Sequence, residues 1–311
     1  MASKDAVPLL TQNARADFRP YLHPILAPDG NGELTQFSPG HHKHQTGLYW
    51  GLTRVNGRDY FHNPKGDYWR RVSAEVVTGE GEQVSWRTVY AMLDEAGAVT
   101  LTETQTWTMA INPAGQAILD LEWIGRAGEK DVTISKYDYG GLFLRMPWDK
   151  GKRAQVMTGA RQVDQKAEGK RAMWLDVGME IAGREDDGHF AIFDHPQNDD
   201  FPNAWRVDGQ FGVGPCRAIQ GDWSISAGKD KRFLHRFVIY TGKLNEKDIS
   251  DQWKSWSGQK NTSVLWGIAQ KEAREAKLAT SGPSPTTNTS RRTAAHGFTC
   301  PTPSPKNSRG S

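Results

Sequence analysis

The sequence predicts an all-β protein, a large antiparallel β-sandwich followed by a C-terminal helix and a disordered tail. Many short segments with strand-like patterns lie between turn signals such as Asn112-Pro113 and Asp186-Asp187-Gly188. Twelve Trp and 32 Gly residues in a chain of 311 are typical of a turn-rich sheet protein with aromatic surfaces. Many short strands at this spacing favour a sandwich, and the chain is long enough to bury a sizeable core.

The domain boundaries follow from shifts in composition. We expect residues 1–18 to form a poorly ordered leader, 19–247 the sandwich domain, 248–280 a helical segment and 281–311 a disordered tail. The helical segment is rich in Ala, Lys, Glu and Gln. The tail has five Pro and twelve Ser or Thr residues and no acidic residue, a composition that buries too little apolar surface to fold.

The clearest strand is Val99–Ala110, in which a Thr at every second position alternates with other residues. A period of two gives a strand two different faces. The other predicted strands are Trp69–Thr78, Gln83–Leu93, Ala117–Ile124, Val132–Tyr137, Gly141–Arg145, Gly188–Phe193, Ala204–Val207 and Phe233–Tyr240.

Several functional classes are excluded by what the sequence lacks. No apolar run approaches the roughly 18–20 residues of a membrane helix, and a net charge of +3 does not indicate nucleic-acid binding. Two cysteines, Cys216 and Cys300, are too few for a disulfide framework or a Cys-rich zinc module. The nucleotide-binding, serine-hydrolase and zinc-protease motifs are absent. We expect a small-molecule or oligosaccharide substrate, no nucleic acid and no membrane.

The N-terminus bears on the cellular compartment. It lacks the apolar stretch of about 7–15 residues that a secretory signal contains. We therefore expect a cytoplasmic protein from the sequence as it stands, and a periplasmic or secreted one if the N-terminus is truncated.

The segment Ser38–Asn63 contains four of the nine histidines, namely His41, His42, His44 and His62. If Gly40–Thr46 is extended, His42 and His44 project to the same side, about 7 Å apart. Two such imidazoles can act as acid and base near neutral pH or bind one metal ion. A metal would need another ligand, for which the candidates are His195, His62, Asp194 and Glu103. The alternative is a histidine-rich loop bonded to its own backbone.

The segment Phe190–Trp205 is an apolar strand that runs into polar, Pro-braced residues. A scaffold often presents functional side chains in this way. Asp194 can orient an imidazole, His195 adjoins it, and Asn198 or Asn203 can bind hydroxyl groups. The alternative is an ordinary loop of Asx turns.

The segment Lys136–Trp148 contains Gly140-Gly141, which allows close approach of a backbone or ligand, and Arg145 at the end of a strand. Arg145 can hold a carboxylate or a sugar hydroxyl. The alternative is a buried arginine that forms an ion pair with one aspartate.

Five runs of residues carry a family resemblance: Arg19-Pro20-Tyr21-Leu22-His23-Pro24 with Ala27-Pro28-Asp29-Gly30; His42-Lys43-His44-Gln45-Thr46-Gly47-Leu48-Tyr49-Trp50-Gly51 with Val55-Asn56-Gly57; Gly140-Gly141-Leu142-Phe143-Leu144-Arg145-Met146-Pro147; Trp174-Leu175-Asp176; and Ile192-Phe193-Asp194-His195-Pro196-Gln197-Asn198. Together they resemble the soluble PmoA-like family, often labelled methane oxygenase PmoA, over about Arg19 to Gly242. The family's first histidine cluster reads Asp-His-Pro-His-His-Arg. His42 and His44 match it, whereas Gln45 and Thr46 replace its last His and Arg.

The resemblance implies a β-sandwich found widely in bacteria with large carbohydrate-degrading repertoires, and it implies no established reaction. The family's name gives no warrant for methane or copper chemistry, because the membrane subunit that it names is a helix bundle and this sequence has no membrane helix.

We therefore expect the extended two-sheet form (a mutarotase-like supersandwich) seen in sugar epimerases and some polysaccharide lyases. The first hypothesis is a carbohydrate-active enzyme that performs hydrolysis, elimination or epimerisation of a sugar or glycoside in a His-rich pocket. Its catalytic residues would be His42, His44, Asp194 and His195, and its substrate-binding residues Arg145, Tyr49, Trp50 and Asn198.

Two alternatives remain. One is a metal-dependent oxygenase or hydrolase with an unidentified divalent metal ion, for which the candidate ligands are His42, His44 and His195. The other is a non-catalytic carbohydrate-binding module, which twelve Trp favour. The enzyme hypothesis requires the distant histidines to meet in one water-accessible hollow.

Overall fold

A computed structural model of the chain describes residues 8–259. Within this range sixteen strands are followed by one α-helix. In chain order they are β1 (Leu10–Asn13), β2 (Tyr21–Ile25), β3 (Leu48–Gly51), β4 (Trp69–Thr78), β5 (Gln83–Leu93), β6 (Val99–Ile111), β7 (Ala117–Ala127), β8 (Val132–Ile134), β9 (Gly141–Leu144), β10 (Ala154–Thr158), β11 (Trp174–Glu180), β12 (Asp187–Asp194), β13 (Trp205–Val207), β14 (Val213–Pro215), β15 (Trp223–Ile225), β16 (Asp230–Gly242) and the helix α1 (Glu246–Ser257). Short 3₁₀ helices span Asp164–Ala167 and Arg217–Ile219.

The strands form two large sheets in which neighbouring strands are antiparallel. The six-stranded sheet has the order β1-β2-β3-β9-β14-β13, and the eight-stranded sheet has the order β10-β11-β12-β16-β7-β6-β5-β4. Strands β15 and β8 pair separately. The predicted antiparallel β-sandwich is therefore confirmed.

The main core lies between the two large sheets. Trp50 of β3 stacks on Trp123 of β7 with ring centroids 4.5 Å apart, and Leu48 and Leu144 join the same buried cluster. Because side chains alternate along a strand, Tyr49 and Phe143 point to the opposite side of the six-stranded sheet. That outer face carries a second aromatic cluster and the loops described below.

Strand β6 shows the predicted alternation. Thr102, Thr104, Thr106 and Thr108 are half-buried on one face, whereas Leu101, Glu103, Gln105 and Trp107 are buried on the other. The buried carboxylate accepts hydrogen bonds from the Gln105 side-chain amide at 2.9 Å and from the Trp123 indole at 2.7 Å. A polar pair thus lies inside an otherwise apolar core.

All nine predicted strands occur, and the bounds of β4 and β5 agree with the prediction. The predicted strand Val132–Tyr137 is shorter and ends at Ile134. Two further expectations are corrected. Residues 10–13 of the expected leader form β1, whose Leu10 pairs with Ile25 of β2. The segment Gly40–Thr46 is a series of turns and not an extended strand.

Helix α1 packs against the outer face of the eight-stranded sheet. Its N-cap Asn245 accepts a hydrogen bond from the Asp248 backbone, and it ends before Gly258, which has a left-handed φ of 70°. Trp253 is buried and donates to the Asp194 carbonyl at 2.9 Å. Residues 260–280 of the predicted helical segment and the predicted tail 281–311 lie outside the described residues. Within the described range no helix is long and apolar enough to span a membrane.

Candidate functional site

Four imidazole rings form a row on the outer face of the six-stranded sheet. The ring centroids of His41 and His42 are 5.0 Å apart, those of His42 and His44 5.7 Å, and those of His44 and His62 4.3 Å. His41 is exposed and the other three are partly exposed. The structure therefore brings together the four histidines of Ser38–Asn63 at a surface that water reaches.

A buried arginine ties the two loops that carry these histidines. The Arg19 guanidinium donates hydrogen bonds to the backbone carbonyls of His44 and of Phe61, the latter at 2.7 Å. It also lies over the Tyr49 ring, 3.6 Å from the ring centre. Burial lowers the pKa of Arg19 to about 10, so the guanidinium is still charged at neutral pH. The contact fixes His44 beside His62.

The best-defined polar pair in the row is Asp59 with His62. The Asp59 carboxylate lies 2.7 Å from His62 Nδ1, and its other oxygen accepts the backbone N–H groups of Phe61 at 2.9 Å and His62 at 3.2 Å. Burial acts to raise the pKa of Asp59, but the hydrogen bonds from His62 outweigh it and the pKa is lowered. The carboxylate is thus ionised and orients the imidazole.

The other nitrogen of His62 faces a tyrosine pair. The Tyr139 hydroxyl lies 3.5 Å from His62 Nε2 and 3.4 Å from the Tyr137 hydroxyl. Burial, together with the bond to Tyr137, raises the pKa of Tyr139, so this phenol keeps its proton. With Nδ1–H directed to Asp59, the Nε2 atom is the acceptor in this arrangement.

The remaining histidines of the row are held neutral. Burial lowers the pKa of His44 to about 3, with His62 and Arg19 as further causes. Burial and Arg145 also lower the pKa values of His41 and His42, whose Nδ1 atoms lie 2.7 Å apart. Neutral imidazoles can both accept and donate hydrogen bonds, as a proton-transfer site requires.

Arg145, expected to hold a substrate group, is fully buried beneath the row. Its guanidinium donates to the Gln45 side-chain oxygen at 2.5 Å, to the Gln210 carbonyl at 2.6 Å and to the Asp208 carboxylate. These partners occupy its donors, so the alternative of a buried arginine paired with one aspartate describes it. Arg145 links the histidine loop to the loop between β13 and β14.

The two rings expected to stack on a sugar are not available for it. Tyr49 has no exposed surface and lies under Arg19, and Trp50 faces the opposite side of the sheet, in the core. The expectation fails because both residues belong to β3, which is covered on both faces. The aromatic side chain that is exposed on this face is Phe37, at 43% of its surface.

The Asp194 segment belongs to the other sheet. Asp194 is buried and accepts hydrogen bonds from the Asn198 side chain and the Asn203 backbone, both at 2.6 Å, and burial raises its pKa to about 6. His195 is half-buried against Trp256 of α1, with ring centroids 4.7 Å apart. The contacts of these residues lie at the end of β12, so the structure does not join Asp194, His195 or Asn198 to His42 and His44.

Within residues 8–259, no group of three or more His, Cys, Asp or Glu side chains is arranged to hold a metal ion. The candidate ligand His195 follows β12 of the eight-stranded sheet, whereas His42 and His44 lie in turns on the outer face of the six-stranded sheet. The geometry thus gives the metal hypothesis no ligand set.

Sequence reasoning missed Asp59 and Tyr139 as site residues. The spacing Asp59-Tyr-Phe-His62 was an available signal, because an Asp side chain readily accepts backbone N–H groups just after it in the chain, as Asp59 does from Phe61 and His62. Nothing local pointed to Tyr139, which lies 77 residues from His62 in the chain.

A model of the family described as "Family of unknown function (DUF6807)" matches residues 5–254. No curated protein matches the chain. One similar solved structure is a GalM/aldose epimerase homologue from C. elegans, with 10% identity, a TM-score of 0.34, and coverage of 76% of this chain and 99% of that one. Another is a galactose mutarotase related enzyme from Lactobacillus acidophilus, with 8% identity, a TM-score of 0.32, and coverage of 76% and 100%. The resemblance to the soluble PmoA-like family stays a prediction from its motifs.

Proposed function

The chain belongs to the DUF6807 family of unknown function, and from its site we propose that it is an enzyme performing acid–base chemistry on a sugar or glycoside. The observation that carries the proposal is the Asp59–His62 pair, whose free imidazole nitrogen faces the protonated hydroxyl of Tyr139. A carboxylate that orients an imidazole next to a second proton carrier is the arrangement expected of general acid–base catalysis.

Each member of the group has a distinct role in the proposal. Asp59 holds the Nδ1–H tautomer of His62 and stabilises the imidazolium that forms when Nε2 takes a proton. Tyr139 supplies a proton from its neutral hydroxyl. One group that removes a proton and one that donates a proton serve epimerisation, elimination and hydrolysis alike, so the three reactions stay together in the proposal.

The surface around the pair favours an extended, hydroxyl-rich substrate. The row of neutral histidines offers nitrogen donors and acceptors for hydroxyl groups. Phe37 stands on the same sheet face, supported by Tyr21 with ring centroids 5.5 Å apart and by His23 at 5.7 Å. An exposed ring with firm support can pack on the apolar face of a pyranose. An open surface suits an oligosaccharide that spans both features.

The test is turnover on a panel of oligosaccharides and polysaccharides, with products identified by chromatography and mass spectrometry. We expect His62→Ala to lower kcat by about 10²- to 10⁴-fold, the usual contribution of a general acid–base group. Asp59→Asn should lower it through the wrong tautomer of His62. The matched control is His195→Ala, a partly exposed histidine of the other sheet, which should retain activity.

Equal activities of the His62→Ala and His195→Ala variants would show that the Asp59–His62 pair is not catalytic. Binding of a glycan without any product, in the wild type, would instead identify a carbohydrate-binding module. In that case Phe37→Ala should weaken the binding and His62→Ala should have a smaller effect.

A further inference from the structure

A small cavity lies between the two sheets, on the opposite side of the six-stranded sheet from the histidine row. Its volume is about 10 Å³, and its lining includes Trp50, Gly140, Asn203, Trp223 and His235. One internal water needs a space of about 10–15 Å³. The cavity is therefore of the size that one water needs.

Four of its lining residues carry a buried polar atom that has no hydrogen-bond partner among the described residues. They are the indole nitrogens Nε1 of Trp50 and of Trp223, the guanidinium nitrogen Nε of Arg217 and the side-chain oxygen Oδ1 of Asn203. Trp50, Trp223 and Asn203 are 4%, 6% and 1% exposed, respectively, so bulk water does not satisfy their atoms. Buried polar atoms in native proteins nearly always have a partner, either protein or ordered water.

Asp194 holds the Asn203 side chain in an orientation that leaves its oxygen, Oδ1, without a hydrogen-bond partner. The Asp194 carboxylate accepts the Asn203 backbone N–H at 2.6 Å and its side-chain amide N–H at 3.2 Å. Both nitrogen donors of this residue are thus directed to Asp194, and the remaining acceptor is Oδ1. The loop after β12 in this way presents a fixed acceptor to the cavity.

The balanced charges around the cavity favour a neutral occupant. Arg217 Nε lies 3.6 Å from the Asp199 carboxylate, too far for a hydrogen bond but close enough for an ion pair, and Arg217 Nη2 pairs with Asp200 at 2.5 Å, so the positive charge is balanced. With the cation held by these two carboxylates, the two indole N–H donors beside one oxygen acceptor suit a molecule that accepts twice and donates once. Water does this, and a buried water typically makes about three hydrogen bonds.

We propose that this cavity is the binding site of a single internal water molecule, which accepts hydrogen bonds from Trp50 and Trp223 and donates one to Asn203. The water joins β3 of the six-stranded sheet to β15 and to the loop that follows β12 of the eight-stranded sheet. In this proposal the buried Asp194 carboxylate orients Asn203, whose side-chain oxygen accepts the hydrogen bond from the water. It also lies behind Gly140, the residue that follows Tyr139, so it supports the loop that carries the proposed acid.

The experiment is water-to-protein NOE spectroscopy on the full ¹⁵N-labelled, deuterated chain, with indole signals assigned by through-bond and NOE connectivities in the wild type. We expect cross-peaks between water and the indole N–H protons of Trp50 and Trp223, with the sign of a slowly exchanging bound water. Trp205 and Trp253 are the internal controls, because each is buried and donates to a backbone carbonyl at 2.9 Å. They should show no such cross-peak.

Absence of cross-peaks at both Trp50 and Trp223 would overturn the proposal. Cross-peaks of equal size at the two control indoles would also overturn it, because the signal would then report general exchange and not a bound water. Neither readout needs a substrate or a substitution, so the result is independent of the proposed enzymatic function.

Discussion

The buried carboxyl of Glu103 makes the stability of the protein depend on pH in a predictable direction. Burial raises the pKa of Glu103 to about 7 from an ordinary value of 4.5, although hydrogen bonds from Trp123 and Gln105 act the other way. Between these two pH values the folded protein holds a proton that the unfolded chain has released. Its contribution to stability is therefore present below pH 4.5 and is lost as the pH rises through 7.

The size of this change in stability follows from the difference between the two pKa values of Glu103. At about 1.4 kcal/mol per pH unit, the span from 4.5 to about 7 corresponds to about 3 kcal/mol. Replacing Glu103 by Gln keeps the shape and removes the titration. We expect the free energy of unfolding of the wild type, minus that of Glu103→Gln, to fall by about 3 kcal/mol between pH 4.5 and pH 8.

The assay is urea unfolding followed by tryptophan fluorescence at several pH values, with linear extrapolation to water. Glu80→Gln, at an exposed position, controls for the loss of a negative charge. The reasoning is refuted if the difference between the wild type and Glu103→Gln stays constant within about 1 kcal/mol across this range. The absolute cost of the substitution is not part of the prediction, because the amide also changes one hydrogen bond.

Three further substitutions test the supports of the site and of the helix. Arg145→Met should lower the free energy of unfolding by about 3–5 kcal/mol, because it leaves a buried carboxylate without its cation. Arg126→Met, which removes an exposed ion pair, should cost at most about 1 kcal/mol, and equal urea midpoints would contradict the argument. Asn245→Ala should cost about 1 kcal/mol through loss of the helix N-cap, measured by thermal unfolding, and an unchanged melting temperature would count against it. Gly214→Ala should be destabilising by about 1–3 kcal/mol or more, because a Cβ there collides with the neighbouring strand, whereas Gly209→Ala meets open space and should be tolerated.

The strands that could be predicted are those with two unlike faces or a long apolar run. Strands β6 and β7 pair as a hairpin with one face buried and the other partly exposed, so their side chains alternate in the sequence. Strands β3 and β11 are buried on almost every side and carry no alternation to read. Their short length and mixed residues, such as the Trp-Leu-Asp-Val-Gly-Met-Glu of β11, resemble loops when read without the sheet around them.

The histidines of the candidate site could be predicted from the sequence, but their three-dimensional surroundings could not. The density of imidazoles in Ser38–Asn63 is a local property of the sequence, and the structure places these four rings together on one surface. Whether Asp194 and His195 lie near His42 and His44 depends on which sheet each strand joins. Strand β12, which leads to Asp194 and His195, pairs with β11 and β16 in the eight-stranded sheet. Only the pairing of β3 with β9 brings Tyr139 to the histidine loops, and such long-range pairing has no local signature.

The outer face of the six-stranded sheet derives its rigidity from two buried cations. Arg19 binds the carbonyls of the two histidine loops, and Arg145 binds the histidine loop to the loop between β13 and β14. Such fixed positions matter to the proposed function, because a catalytic group misplaced by about 1 Å can lose much of its effect. Both arginines are buried and bonded to the protein, so the proposed function assigns polar recognition of the substrate to the histidines above them. The contact of Arg19 with the Phe61 carbonyl holds the loop that places His62 within reach of both Asp59 and Tyr139.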